Sequence, residues 1–527
     1  MLDKMSPQNR LLLAVSLMIL CLISYSYFQP QTQANENASL QTQSGVQANE
    51  APQIAVQTTA AAAPTSTQSV NMDEVIAKIE SPDFEIYIDK LGRISKYFLN
   101  GEDFKDENGE RIQLIDDSLP PLPLEVRFKD KALNNEAFSK SYAADKKEIT
   151  LGDESETLTL VQELSGVTLT KKITFTKERG YNAEISLSAP QEYFISTGFR
   201  PNVLADAYTF HGVIVKKSDG SLETIEDGDA KKTETFSKSP FAAASDRYYT
   251  TLLSNFDENL VVVVSPDKDK NPNIFIEGRE NLKLTGYIGP KSKANIHAVD
   301  KRLDDVIEYG FFTWISKPIF SLLYFINSKI GNWGWSIVII TILIRLVLYP
   351  LTYRGMVSMN KLKDLAPKIK ELQAKYKDDK QKLNLHVMDL YKKHGANPMG
   401  GCLPILIQIP IFFAIYRVLS NTVELKNAEW ILWVKDLAVM DPYYILPIAM
   451  GLTMFLQQKM TPTAFTDPMQ EKIMKFLPLI FTFFFLWFPA GLTLYWFVNN
   501  LFSISQQMYV NRHFKRLKEQ EKEKAHS

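Results

Sequence analysis

The chain has 527 residues, enough for two or three domains, and its charge is nearly balanced, with 59 basic and 60 acidic residues. This balance excludes a global positive field that would attract nucleic acid. The two cysteines, Cys21 and Cys402, both fall in apolar segments, which excludes a disulfide framework. Neither an H-E-x-x-H nor a C-x-x-C motif occurs, so we expect no metal and no cofactor.

The first apolar run, Leu11–Phe28, has about the length of a helix that spans a bilayer, and basic residues precede it. A cleaved signal peptide is the alternative interpretation. Bulky Tyr25 and Tyr27 stand where a cleavage site between small residues would follow, which disfavours it. We therefore predict an uncleaved transmembrane anchor over residues 1–28.

A polar linker and a β-rich domain follow the anchor. Residues 29–78 are rich in Gln, Ala, Thr, Ser and Asn and contain few large apolar residues, so they predict a flexible linker. Over 79–310, apolar and polar residues alternate with a period of two between Gly, Asp and Asn turns, as at Phe84 and Ile86. This pattern predicts a large antiparallel β-sandwich, with a helix near 299–308 at its end.

Apolar segments return after the β-rich region. Residues 311–332 are interrupted by Lys317 and Pro318, so they predict an amphipathic helix that lies at the membrane surface. Residues 333–511 then contain five apolar segments of roughly spanning length. These segments lie near 334–352, 400–420, 443–458, 473–488 and 491–509. The predicted fold class is a multi-pass α-helical membrane protein with six transmembrane helices, five of them forming a core, and a large all-β domain.

Charge between the apolar segments indicates the topology. The stretch 354–393 is dense in lysine, and residues 512–527 form a basic tail. The loop 421–442, by contrast, has only Lys426 and Lys435, offset by four acids. Basic loops face the cytoplasm, so we predict that both termini lie inside and the β-domain outside.

Residues 359–396 are predicted to form a cytoplasmic helical hairpin. Apolar residues recur there at helical spacing on both sides of an acidic-basic turn. These residues are Leu362, Leu365, Ile369, Leu372 and Tyr376, then Leu383, Val387 and Leu390. The basic polar face is either a solvated surface near anionic lipid or a docking surface for a ribosome or targeting factor, and the pattern leaves both open.

One charge stands inside a predicted span. Arg345 is the only charged residue between Gly334 and Pro350. A guanidinium cannot discharge itself by losing a proton, and placing one at mid-bilayer costs roughly 3 kcal/mol on insertion scales. Arg345 therefore predicts a wet, polar pocket within the lipid. The alternative is an arginine that extends to the cytoplasmic headgroups, towards Arg354.

From Asn332 onwards the chain resembles the YidC/Oxa/Alb family of membrane protein insertases. The motifs that carry the resemblance are Asn332-Trp333-Gly334-Trp335-Ser336, Arg345 with Tyr349-Pro350-Leu351-Thr352, Asn397-Pro398-Met399-Gly400-Gly401-Cys402, Gln408-Ile409-Pro410-Ile411-Phe412, Asp441-Pro442-Tyr443-Tyr444, and Phe488-Pro489-Ala490-Gly491-Leu492 with Tyr495. The anchor and the large β-domain resemble the Gram-negative form. The resemblance implies a five-helix core with a groove open to the cytoplasm and to lipid, a periplasmic β-supersandwich, and a location in the inner membrane.

The resemblance also implies an insertase and membrane chaperone without covalent catalysis, acting on nascent membrane proteins alone or beside the Sec translocon. Arg345 in a wet groove would attract the polar or acidic tail of a substrate. Thr341 lies one turn earlier on the same helix face, and Gln408 in the next span would add an amide to the groove. Asn499 and Asn500 in the last span are weaker candidates.

The apolar part of the substrate is expected along one wall of the groove. Candidate residues in the third and last spans are Ile411, Phe412, Tyr495 and Trp496. The family places substrate between these two spans, which favours Phe412 and Tyr495 in particular. Trp496 stands where a second Tyr is expected, and ordinary lipid contact or helix packing is the alternative role for each aromatic residue.

Two other functions are compatible with parts of this pattern. A solute or lipid transporter would use Arg345 as an anion site, but the core shows no inverted repeat and only one buried charge. A scaffold would bind a periplasmic polymer on its β-sandwich, although no sugar-site pattern stands out there. Insertion of a short substrate protein into liposomes separates these three functions.

Overall fold

The computed structural model describes residues 75–101, 104–105, 109–203, 210–376, 379–395, 403–460 and 468–526. The predicted anchor, most of the predicted linker and Cys402 lie outside the described residues. The described chain divides into two compact units, residues 75–307 and 308–526. The first is built on β-sheets and is called the β-unit, and the second consists mainly of helices and is called the helical unit.

The β-unit contains nineteen strands among its described residues. They are β1 Val75–Glu80, β2 Phe84–Asp89, β3 Ile94–Leu99, β4 Gln113–Ile115, β5 Val126–Phe128, β6 Ala143–Ala144, β7 Glu148–Thr150, β8 Glu156–Leu164, β9 Val167–Phe175, β10 Gly180–Leu187, β11 Tyr193–Ser196, β12 Gly212–Lys216, β13 Leu222–Glu226, β14 Glu234–Ser239, β15 Phe241–Ser245, β16 Tyr249–Ser254, β17 Leu260–Pro266, β18 Pro272–Gly278 and β19 Leu282–Pro290. Two α-helices accompany them, α1 Lys131–Ser139 and α2 Lys293–Val299.

The strands form three sheets. Their orders are β4-β3-β2-β1-β7, β13-β12-β15-β16-β19-β10-β9-β8-β6, and β14-β17-β18-β11-β5. The described pairs are antiparallel, as predicted, except β1 with β7, which are parallel with Ile79 opposite Ile149. A parallel partner requires a long crossover. The chain supplies it by passing through β2 to β6 and α1 before it returns as β7.

The start of the β-unit differs from the sequence prediction. Strand β1 begins at Val75, inside the predicted linker 29–78, and Ala77 pairs with Ile88 of β2. Ala77 and Ile79 point inward and are 1% and 0% exposed. The alternation of buried and exposed residues therefore starts earlier than the composition indicated. A buried alanine adds little to the hydrophobicity from which a strand is predicted.

Two short helices close the end of the β-unit. Ile296 of α2 and Leu303 and Val306 of a following 3₁₀ helix, Lys301–Val306, are fully buried and belong to one cluster with Tyr287 of β19. Full burial of an aliphatic side chain stabilises a fold by about 1.5–3 kcal/mol. The helix predicted near 299–308 is thus two helices in series.

The helical unit contains eight α-helices among its described residues. They are α3 Thr313–Ile330, α4 Trp333–Val347, α5 Tyr349–Lys375, α6 Lys380–Lys393, α7 Leu403–Asn421, α8 Ile445–Met460, α9 Pro468–Phe485 and α10 Ala490–His526. Local caps position several of them. The side chain of Asn332 accepts from the Trp335 amide at 3.0 Å before α4, and that of Asp441 accepts from the Leu446 amide at 2.7 Å at the start of α8. These caps satisfy amide groups that a helix start leaves without a partner.

The predicted span 334–352 is not one straight helix. Helix α4 ends at Val347, α5 begins at Tyr349, and the two are bent by 64° at the break. Pro350 lies in the first turn of α5, where its missing N–H group costs nothing, but it cannot continue the hydrogen bonding of α4. By length and hydropathy, no single described helix is long and apolar enough to cross a bilayer, and only the bent pair α4 and α5 qualifies together.

Helices α5 and α6 pack through apolar residues of the predicted hairpin. Leu362, Leu365 and Ile369 of α5 are buried in one cluster, against which Val387 and Leu390 of α6 pack. Helix α5 starts earlier than the predicted hairpin 359–396, because Pro350 begins a helix that continues without interruption. Pro367 is accommodated inside α5 rather than ending it.

Helix α10 combines two predicted segments. The last predicted span, 491–509, and the predicted tail, 512–527, are one continuous helix up to His526. After Gly491 the sequence contains neither glycine nor proline, so nothing in it favours a break.

Candidate functional site

Arg345 lies in the last turn of α4, directly before the bend into α5, and is 6% exposed. A cation in the last turn interacts favourably with the carbonyl end of its helix. Burial nevertheless removes the guanidinium from water, a cost that new hydrogen bonds must offset. The side chain therefore does not extend to the surface, and its buried partners decide what it can do.

Two polar side chains of α10 hold the guanidinium. Arg345 Nε donates to Asn499 Oδ1 at 2.6 Å, and Nη2 donates to Ser503 Oγ at 2.7 Å. Asn499 and Ser503 are four residues apart, so they lie on one face of α10. Ser503 Oγ also donates to the carbonyl oxygen of Asn499 at 2.8 Å, which turns its lone pairs towards Arg345.

These partners satisfy the guanidinium without neutralising it. Both are uncharged, and no described acidic residue forms an ion pair with Arg345. The third nitrogen, Nη1, has no hydrogen-bond acceptor among the described residues, and it is not one of their fully buried polar atoms that lack a partner. The site is a buried positive charge with one nitrogen that makes no hydrogen bond to a described residue.

The two other polar candidates take different places. Thr341 is 1% exposed, and its hydroxyl donates to the Ile337 carbonyl oxygen at 2.6 Å, so its hydrogen is used within α4. Gln408 is half-buried on α7, and its amide forms no hydrogen bond with a described residue. Thr341 thus shares the helix face of Arg345 one turn away, whereas hydrogen bonding does not connect Gln408 to the guanidinium.

The apolar candidates divide between two faces of α10. Trp496 packs edge-on against Phe412 of α7, with ring centroids 4.8 Å apart, and it also contacts Phe481 and Phe485 of α9 at 6.0 and 5.5 Å. Tyr495 is 3% exposed and lies four residues before Asn499, on the face that meets Arg345. The structure therefore brings Phe412 and Trp496 together, and it places Tyr495 on the polar side.

Further polar contacts extend this side of α10. Gln506 Nε2 donates to Thr352 Oγ1 of α5 at 2.6 Å, and Asn511 Oδ1 accepts from Asn360 Nδ2 of α5 at 2.9 Å. Asn500, a weaker sequence candidate, donates instead to the Met450 carbonyl oxygen of α8 at 3.4 Å. We call the contacts of Asn499, Ser503, Gln506 and Asn511 with α4 and α5 the polar seam.

Comparisons with known proteins identify the family. The family model described as 60Kd inner membrane protein matches residues 325–519, and that of the YidC periplasmic domain matches residues 77–322. The membrane protein insertase YidC of Wolinella succinogenes is 50% identical over 97% of this chain and 96% of its own length. That of Campylobacter jejuni is 50% identical over 96% of each chain. The chain belongs to the YidC family.

Solved YidC structures are more distant. A crystal structure of an active YidC insertase with its first transmembrane domain resolved is 18% identical, covers 82% of this chain and 94% of its own, and aligns with a TM-score of 0.36. The family resemblance predicted from the motifs is confirmed by the sequence matches, and so is the coarse fold, a β-rich domain of the YidC periplasmic type together with helices.

Sequence reasoning missed part of this candidate site. It indicated Asn499 only weakly and did not indicate Ser503. The available signal was the spacing of Asn499 and Ser503, which places two polar groups on one face of an apolar helix segment. Which neighbour that face meets depends on how α10 is rotated against α4, and spacing within one helix does not determine this.

Proposed function

We propose that this chain is a membrane protein insertase that moves the polar tail of a nascent membrane protein through a groove containing Arg345. The relatives that match over nearly the full length are named membrane protein insertases. The observation that carries the proposal is the buried guanidinium of Arg345, which is held by neutral partners and whose Nη1 makes no hydrogen bond to a described residue.

The barrier to insertion is the transfer of a hydrophilic tail into an apolar slab. A carboxylate or amide without partners pays several kcal/mol there. Asn499 and Ser503 orient the guanidinium but contribute no negative charge, so its field still acts on an approaching group. An acidic tail that binds Nη1 gains a charge-assisted hydrogen bond at the point where its desolvation is most costly.

The apolar segment of the substrate then leaves along α7 and α10. Phe412 and Trp496 pack against each other between these helices, so a segment that passes there must separate their rings. An aromatic pair contributes only about 0.5–1.5 kcal/mol beyond its buried area. Such a contact is weak enough to open for a substrate and strong enough to close the helices afterwards.

In this proposal the chain has six spans, with both termini in the cytoplasm and residues 79–310 in the periplasm. The apolar stretch of helix α9 is Lys475–Phe485, which corresponds to about 17 Å against a hydrocarbon core of about 30 Å. An apolar stretch of this length thins the bilayer locally and shortens the path of the tail. The basic hairpin and tail are the proposed contacts for ribosomes and targeting factors, and the Sec translocon is a proposed partner.

Reconstitution into liposomes tests the proposal. The substrate is a short membrane protein with an acidic tail, and protection of that tail from external protease reports insertion. Arg345→Ala is expected to abolish insertion, because no other described cation occupies its place, whereas Arg345→Lys retains much of it. The matched control Lys361→Ala removes an exposed charge of α5 and leaves insertion unchanged.

A substrate with an asparagine tail is a second control, since it depends less on the charge of Arg345. Full insertion of the acidic substrate by Arg345→Ala would falsify the role of the groove charge. In the same liposomes, flux of a labelled anion without insertion of the substrate protein would instead indicate a transporter.

A further inference from the structure

A groove between α5 and α10 lies apart from the contacts of Arg345. It has a volume of about 210 Å³ and is lined by Tyr353, Arg354, Val357, His513, Phe514 and Leu517. Four of these side chains are aliphatic or aromatic, and two are basic. The groove therefore offers an apolar surface beside positive charge, which is the pattern that an amphiphile with an anionic head requires.

The arginines at the groove form no ion pair with a described acidic residue. Arg516 follows His513 by three residues, which places the two side by side on α10. Arg354, His513 and Arg516 are exposed, and no described acidic residue forms an ion pair with them. An anionic group beside the groove would thus meet two guanidinium groups, neither of which forms an ion pair with a described carboxylate.

Aromatic residues next to the groove indicate its depth. Tyr349 and Tyr353 lie with their rings 5.9 Å apart, and the rings of Tyr509 and His513 are stacked at 6.2 Å. Tyr509 is 58% exposed. Exposed tyrosines collect at the headgroup level of membranes, and the cytoplasmic leaflet carries the anionic lipids that attract adjacent arginine and lysine.

We propose that this groove binds an anionic glycerophospholipid of the cytoplasmic leaflet. One acyl chain lies against Val357, Phe514 and Leu517, and the phosphate is held by Arg354 and Arg516. A lipid bound there links α5 to α10 near the cytoplasmic end of the polar seam. The inference rests on the proposed topology, which places the ends of these helices at the cytoplasmic surface, but it does not depend on the activity of Arg345.

Native mass spectrometry of the full chain in detergent, titrated with phosphatidylglycerol or phosphatidylethanolamine, measures this binding. We expect the unmodified protein to prefer phosphatidylglycerol. The double variant Arg354→Gln with Arg516→Gln should bind it about tenfold more weakly. The matched control, Lys363→Gln with Lys370→Gln, removes the same charge from exposed positions of α5 outside the groove and should change the affinity less than about twofold.

A variant that fills the groove tests its apolar part. Val357→Trp keeps both arginines and should still weaken phosphatidylglycerol binding about tenfold, since the acyl chain is excluded. Circular dichroism of each variant verifies that the helices are retained. Equal losses in the two charge variants, unchanged binding by Val357→Trp, or no preference between the two lipids would overturn the proposal.

Two competitors separate a lipid from other anions. Neither inorganic phosphate nor a short RNA should displace phosphatidylglycerol, because neither fills the apolar part of the groove. Displacement by phosphate would mean that the groove binds a free anion. Displacement by RNA would mean that it binds nucleic acid. Either result overturns the proposed lipid site. Arg345→Ala should bind phosphatidylglycerol normally, so failure of the insertase proposal and failure of this one are distinguishable.

Discussion

The β-unit and the helical unit each bury a guanidinium, but they treat its charge in opposite ways. In the β-unit, Arg93 is 4% exposed, and its Nε and Nη1 donate to Asp89 and Glu125 at 2.8 and 2.7 Å. In the helical unit, Arg345 is 6% exposed and is bound by an amide and a hydroxyl. The charge of Arg93 is neutralised by carboxylates, whereas Arg345 forms hydrogen bonds with neutral groups only.

The difference distinguishes the charge of Arg93, which is paired with carboxylates inside the protein, from the charge of Arg345, which is not. Although burial opposes it, Arg127 and Arg93 hold the pKa of the Glu125 carboxyl below its ordinary value. The network of Arg93, Glu125 and Arg127 therefore stays charged and is paired within the β-unit. Arg345 has no such counter-charge among the described residues, and in our proposal a substrate supplies it.

The largest expected effect comes from removing the carboxylate that Arg93 and Arg127 share. Glu125→Gln keeps the shape of the side chain but leaves Arg93 and Arg127 without their shared carboxylate, and a buried charge left in this way costs about 3–5 kcal/mol. Denaturant unfolding of the full chain in detergent, with hydrogen exchange of β3 and β5 as the local probe, measures the loss. The exposed control Glu178→Gln should cost little, and a loss for Glu125→Gln of no more than that would mean that the network is not structural.

A buried lysine gives the β-unit a defined pH dependence. Lys171 is fully buried and donates to the carbonyl oxygens of Gly92 and Leu124 at 2.9 and 2.8 Å, and burial lowers its pKa from 10.5 to about 7. Between these values the folded chain has released a proton that the unfolded chain still holds, so stability rises with pH across this window. We expect a gain of about 3 kcal/mol between pH 7 and 10.

Lys171→Met removes the titrating group and should flatten this slope. Unfolding of both proteins, followed at a series of pH values between 7 and 10, provides the comparison. A slope of equal size in the methionine variant would show that other groups are responsible.

The smallest expected change in free energy comes from a substitution at Asn499, and it tests the role of Arg345 most directly. Asn499→Asp places a carboxylate where an amide now accepts from Arg345 at 2.6 Å, and so gives Arg345 the kind of partner that Arg93 has. Insertion of an acidic-tailed substrate should fall about tenfold, which corresponds to about 1.4 kcal/mol, because the tail must compete with a built-in acid.

Asn499→Ala distinguishes charge from positioning. It removes one hydrogen bond but leaves Arg345 without a carboxylate, so it should impair insertion less than Asn499→Asp does, and it should destabilise the helical unit more. Protease protection in liposomes and thermal unfolding in detergent measure the two effects. The reverse order of the two variants in the insertion assay would indicate that orientation of the guanidinium, not its free charge, limits the reaction.

Several features of the fold follow from local sequence alone. The period of two at Phe84 and Ile86 predicted strands, and the spacing of Leu362, Leu365 and Ile369 predicted a helix that packs against its neighbour. Local geometry determines both signals, because side chains alternate across a strand and repeat every three to four residues on a helix. The bend at Leu348 and the continuity of α10 were less accessible, since a proline indicates where a helix begins but not the angle to the helix before it.

The sequence by itself determined that Arg345 is an unusual residue, because an arginine in an apolar segment cannot discharge itself and must find polar surroundings. It also determined the family, through motifs that occur in order. Only the tertiary structure decided which groups surround the guanidinium, with Ser503 among them. It also decided that Tyr495 and Trp496 lie on different faces of α10. The physical reason is that successive residues of a helix point 100° apart around its axis, and packing of α10 mainly against α8, α4 and α5 sets which residue meets which neighbour.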